Sequence, residues 1–112
     1  MGGRENVLRG IRHFAPRGRI AYIHFRDVEG TAENFTECYI NEGNLANKLE
    51  IMMALKENGF SSFMIDDHVP HMIDDTRWGH RGRAYAIGYL QALIDVVNKV
   101  PVIIQSNGKT AS

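Results

Sequence analysis

Two short apolar runs that end in charged side chains constrain this chain more than any other feature. Residues 63–65 (FMI) lead directly into Asp66, Asp67 and His68, and a turn follows at Val69-Pro70. Residues 20–25 (IAYIHF) repeat the design, with His24 one position before the end and Arg26-Asp27 behind it. Strands with so little polar content are the kind buried in parallel sheets, where functional groups sit at the carboxyl ends of the strands. Alternation puts Ile20, Tyr22 and His24 on one face and Ala21, Ile23 and Phe25 on the other. Both faces are largely apolar, which predicts a parallel strand covered on both sides. Asp67 shares a face with Phe63 and Ile65, so His68 reaches the same point only if the strand ends or bends there, as Pro70 favours.

The rest of the chain reads as helices and connections. Val7, Ile11 and Phe14 fall at i, i+4 and i+7 and predict a helix over residues 5–14, which Gly10 weakens by about 1 kcal/mol relative to alanine. The APRG of residues 15–18 ends it. Leu45, Leu49, Met52 and Met53 form one stripe over residues 45–58, with Gly59 suited to the position just past the end and the methionines reading as core filler. Over residues 82–100, Ala86, Leu90, Leu93, Ile94 and Val97 align, and Pro101 is expected to stop the helix. Residues 26–45 show no clean period and predict a long connection, of a kind that is often functional. Residues 102–104 suit either a strand or a surface segment, and the polar residues 105–112 are expected to be a disordered tail. The expected order is therefore α-β-α-β-α with parallel βαβ packing. Two strands alone leave both sheet edges unpaired, which predicts either association between copies or membership of a larger barrel. A closed α/β barrel takes about 250 residues, and this chain has 112.

Composition excludes several classes of function. Thirteen basic and thirteen acidic residues give zero net charge, which favours neither nucleic acid nor an anionic membrane surface. No apolar run approaches the roughly 20 residues of a membrane span, and no signal-peptide core is found, so a cytoplasmic location is the expectation. The single cysteine, Cys38, has no internal disulfide partner and no CxxC companion, and reads as a packed thiol.

For the charged strand ends, two kinds of reading stand side by side. His24 suits a hydrogen-bonded structural histidine, and Asp67 beside His68 suits a turn or cap. Taken together, an imidazole and a carboxylate at neighbouring strand ends form a mixed nitrogen and oxygen site suited to manganese, ferrous iron or zinc, for which two ligands give only a weak hold. His71 and His80 read as solvent-facing, Asp74-Asp75 as a solvated turn, and Arg17, Arg81 and Arg83 as surface or pairing charges.

Several segments carry a family resemblance. HFRDVEGT at residues 24–31, the Glu42-Gly43 pair, ENGF at 57–60, DHVP at 67–70 and GRAYAIGYL at 82–90 together resemble the C-terminal part of mannonate dehydratase. The resemblance implies that residues 1–104 are a partial (β/α)8 TIM barrel of the xylose-isomerase-like type. It also implies a hydro-lyase that removes water from D-mannonate to give 2-keto-3-deoxy-D-gluconate in hexuronate breakdown, with a catalytic Mn2+ or Fe2+. By motif, His24 and Asp67 match metal ligands and His68 the catalytic acid/base. The family's other ligands, a histidine and a cysteine, lie upstream of these segments, and Cys38 does not match that cysteine. Trp78 stands where some members carry a tyrosine, and an indole cannot exchange a proton as a phenol can.

Dehydration of a sugar acid fits those roles, because the proton beside a carboxylate is weakly acidic and the charge left behind needs stabilising. A histidine titrating near neutrality can move the proton or protonate the departing hydroxyl. Arg26 suits a paired grip on the substrate carboxylate or an outward salt bridge. Three functions remain open at the level of sequence: part of a dehydratase completed by an upstream barrel segment, a non-catalytic remnant that self-associates as a homo-oligomer, and a related metal-dependent sugar isomerase.

Overall fold

The computed structural model describes residues 3–31, 33–43 and 45–111, with the side chains of 45, 46 and 100–111 outside the description. Four strands and three helices follow in the order α1 (Gly3–Phe14), β1 (Ile23–Phe25), β2 (Asp27–Gly30), β3 (Phe35–Cys38), α2 (Leu45–Glu57), β4 (Met64–Asp66) and α3 (His80–Ala111). The chain is therefore α/β, as the alternation of apolar runs and helical stripes predicts. The observed order is α-β-β-β-α-β-α, so the expected α-β-α-β-α order is corrected by the two strands β2 and β3, which occupy the stretch expected as a long connection.

A parallel pair, β1 and β4, is joined through α2, with Ile23 opposite Met64, His24 opposite Ile65 and Phe25 opposite Asp66. Pairing begins only at Ile23, three residues later than the apolar run suggests. Ile23, Phe25 and Met64 face the helices. There Phe25 joins Leu8, Ile11, Met52, Leu55, Ala86, Leu90, Leu93 and Val97 in one core, and α2 packs between α1 and α3.

The opposite face is bare. Tyr22 is 48%, Phe63 59% and Ile65 38% exposed, and the Tyr22 and Phe63 rings stack at 5.2 Å. The expectation of a strand covered on both sides is thus corrected: all three helices lie on one side, and aromatic stacking is what shelters the other.

Helix ends follow from residue chemistry. Gly59, at φ 80°, donates to the Lys56 carbonyl while Phe60 donates to that of Leu55, the paired closure that a left-handed residue permits after a helix. Gly18, at φ 63°, closes the 3-10 turn Ala15–Arg17 in the same way. Along α1 the buried residues are Leu8 and Ile11, continued by Ala15, whereas Val7 and Phe14 stay 40% and 49% exposed. The predicted Val7, Ile11, Phe14 stripe is rotated by one residue. Val7 and Phe14 instead line an apolar groove with Ile20, Ile23 and Val28 along the unpaired edge of β1.

Pro101 does not end the last helix, which continues to Ala111. Proline has no N–H for the carbonyl four residues back, which here belongs to Val97. The Lys56 ammonium donates to that carbonyl at 3.0 Å, so the missing bond is replaced from α2 and the helix carries on. The polar stretch from 105 to 111, expected as a disordered tail, has helical backbone, and Ser112 lies outside the described residues. Among the described residues, no helix is long and apolar enough to cross a membrane.

Candidate functional site

Register decides what meets at the rim of the parallel pair. With Phe25 opposite Asp66, the next residues, Arg26 and Asp67, leave the sheet side by side. Alternation puts His24, Arg26, Ile65 and Asp67 on the bare face. His24 Nδ1 lies 3.4 Å from Asp67 Oδ1, and Arg26 Nε lies 3.2 Å from Asp67 Oδ2. The carboxylate is thus held between an imidazole and a guanidinium. Because β4 ends at Asp66, the chain bends and His68 turns back, bringing its Nε2 to 3.4 Å from Asp67 Oδ1. His24, Asp67 and His68 therefore converge, as the two strand ends suggest.

Asp66 faces the other way and is pinned there. Arg83 Nη1, from the first turns of α3, donates to Asp66 Oδ2 at 2.8 Å and to the Asp67 carbonyl at 3.0 Å. Its Nε donates to the Trp78 carbonyl at 2.9 Å, so one arginine ties the strand end, the loop and the helix together. Asp75, expected in a solvated turn, caps α3. Its Oδ1 accepts from the backbone N–H of Thr76 and Arg81, and its Oδ2 accepts from Gly82. These bonds, that from Arg81 foremost, hold its pKa below the usual carboxylate value.

Glu37 is a site residue that the reading of the sequence missed. Residues 26–45 contain an antiparallel hairpin in which Val28 faces Glu37 and Asp27 faces Cys38. The hairpin folds back over the rim, and Glu37 Oε1 sits 2.5 Å from Arg26 Nη1 and 3.9 Å from His68 Nδ1. The hairpin is anchored beneath by Lys48 of α2, which is 5% exposed. Lys48 Nζ lies 2.6 Å from Asp27 Oδ2 and donates to the Ile40 carbonyl. Asp27 Oδ2 is buried and takes no aligned hydrogen bond, so the contact with Lys48 is an ion pair first. Its tightness shows at Gly43, where an added Cβ would come within 1.8 Å of Asp27 Oδ2. Cys38 is buried, and burial first, then the nearby Asp27 carboxylate, raises its thiol pKa above the ordinary value.

The donor set fits one small divalent cation in part. Ligand arms of about 2.1 Å with donors 3.4 Å apart subtend about 110°, within the range that such ions accept. The imidazole and carboxylate mixture suits manganese or ferrous iron. Arg26 holds Oδ2, while Oδ1 faces the two imidazoles, His24 and His68, at 3.4 Å each, and a carboxylate with one oxygen held by an outer partner is a common arrangement at metal sites. Among the described residues, no group of three or more His, Cys, Asp or Glu side chains is placed to hold a metal ion.

Comparison with known proteins adds independent findings. The family model described as D-mannonate dehydratase (UxuA) matches residues 2–103. Mannonate dehydratase 2 of Halalkalibacterium halodurans is 33% identical over 75 residues, which cover 65% of this chain and 20% of that protein. The chain thus matches about a fifth of the relative's length. No solved structure matches it.

Proposed function

Since the chain belongs to the D-mannonate dehydratase family, we propose that it forms the metal-binding carboxyl-terminal part of a TIM-barrel hydro-lyase that converts D-mannonate to 2-keto-3-deoxy-D-gluconate in hexuronate catabolism. The observation that carries this reading is the approach of His24 Nδ1 to Asp67 Oδ1, 3.4 Å across adjacent parallel strands. In this reading His24 and Asp67 hold one Mn2+ or Fe2+, with the remaining ligands supplied by an upstream barrel segment or a complementing chain. When bound, such an ion supplies Lewis-acid stabilisation of the charge that develops on the substrate carboxylate.

The chain's own residues supply the rest. Arg26 fixes the orientation of Asp67 through Oδ2, and the N–H groups that it does not direct to Asp67 or Glu37 can meet the substrate carboxylate. His68, 68% exposed at its side chain and in reach of the same face, moves a proton at the reacting carbons or at the departing hydroxyl. The apolar groove along the free edge of β1 suits a further parallel strand, whose backbone would satisfy that edge. A cytoplasmic location belongs to the same reading.

The test is complementation. The chain is assayed with Mn2+ or Fe2+ and D-mannonate, alone and mixed with a polypeptide carrying the upstream strands of a mannonate dehydratase. Keto-deoxy acid forming in the mixture and vanishing with His68→Asn supports the assignment. A mixture that binds metal but yields no product, or yields product from an aldose instead, overturns it.

A further inference from the structure

Beside His68, on the side of the loop that leads into α3, a second pocket opens. Its charged and aromatic lining is His68, His71, Arg77, Trp78 and Arg83, and no carboxylate lines it. Arg83 is immobilised by its bonds to Asp66 and to the Asp67 and Trp78 carbonyls. Arg77 is different. Among the described residues it has no carboxylate partner, and its guanidinium sits 5.9 Å from the centre of the Trp78 ring. That ring is 72% exposed. A guanidinium over a largely exposed indole, with no carboxylate partner among the described residues, suits a particular chemistry: an anionic head joined to a carbon chain whose C–H groups can lie on an aromatic surface. Arg26, by contrast, already faces two carboxylates, those of Glu37 and Asp67.

We propose that this pocket is a sugar-acid subsite in which Arg77 pairs with the ligand carboxylate and Trp78 packs against its C–H face. The inference rests on the dehydratase reading and deepens it, by moving the principal grip on the carboxylate from the strand end to the loop before α3. His68 borders both the pocket and the His24–Asp67 pair, so a sugar acid seated here has its carbons beside the imidazole. His71 completes the lining, where its ring N–H can donate to a ligand oxygen.

Trp78 is the one tryptophan of the chain, so its fluorescence reports on the pocket directly. Titration of the metal-free chain with D-mannonate should give a saturable change in that fluorescence. D-mannitol, the same carbon chain without the carboxylate, should give none. Arg77→Gln should weaken the response about tenfold or more, as removal of a charged hydrogen bond does, with Arg77→Lys intermediate and circular dichroism unchanged in both. No saturable response to mannonate, an equal response to mannitol, inorganic phosphate binding as tightly as mannonate, or an unaltered Arg77→Gln each overturns the proposal. Neither metal nor turnover enters this measurement. Saturable, Arg77-dependent binding without any dehydration in the complemented protein would therefore keep the subsite and defeat the lyase reading. Dehydration with unchanged KM in Arg77→Gln would do the reverse.

Discussion

Lys48→Met tests whether the hairpin that delivers Glu37 is held in place by a buried charge. Lys48 is 6% exposed at its side chain and Asp27 18%, with 2.6 Å between Nζ and Oδ2. Removing the ammonium leaves a carboxylate mostly shut off from water with no counter-charge, and breaking a buried pair from one side costs about 3 kcal/mol at the low end of the usual range. For a domain of this size each kcal/mol shifts the melting midpoint by about 4 °C, so the variant should melt about 12 °C lower. Asp27→Asn added to Lys48→Met should restore most of that loss, because the neutral amide keeps an oxygen for the Val28 N–H that now bonds Asp27 Oδ1 and no longer needs a cation. Gly43→Ala should destabilise by the same route, since its Cβ displaces the Asp27 carboxylate, and its effect should not add to that of Lys48→Met. Thermal unfolding followed by circular dichroism gives all four values. A single Lys48→Met variant within about 0.5 kcal/mol of the parent, the spread of neutral surface changes, would refute the reasoning.

Three other outcomes follow from the same geometry. Leu8→Ala, at a side chain 1% exposed between α1 and the core, should cost about 3 kcal/mol in chemical denaturation; a loss below about 1 kcal/mol would mean that α1 is not packed as described. Asp75 has its folded-state pKa lowered by the α3 backbone N–H groups, so its contribution to stability is present above the ordinary value of 3.8 and is lost as pH falls through the folded value. Asp75→Asn should flatten that acid limb of the stability profile, and an unchanged limb would remove Asp75 from its capping role. Cys38, buried with a raised thiol pKa, should resist iodoacetamide in the folded chain and react readily in denaturant; equal rates would show an open hairpin.

The parallel pairing was legible because two apolar runs ended in complementary groups, and His24 and Asp67 do meet. Glu37 was not. DVEG and FTEC are four residues each, mixed in polarity and without the alternation of a half-buried strand, so only Gly30 and Asn34 hinted at a turn between them. Pro101 misled for a different reason: local propensity predicted a stop, and a lysine from another helix satisfies the carbonyl that proline leaves open. The face of α1 was displaced by one position because Val7 and Phe14 are as apolar as Leu8 and Ala15, and nothing local says which pair meets α2 and which lines the groove at the free sheet edge. Asp75 looked like one of two solvated acids until the arrival of α3 gave it two backbone donors, Arg81 and Gly82, beside the local one from Thr76.

Manganese binding followed by electron paramagnetic resonance goes most directly to the claim that His24 and Asp67 share a cation. The intact chain should take up Mn2+ weakly, and His24→Ala and Asp67→Asn should each reduce that uptake about tenfold or more, the loss expected when half of a two-ligand hold is removed, while His13→Ala on α1 leaves it unchanged. Uptake that is indifferent to His24 and Asp67 would contradict the account.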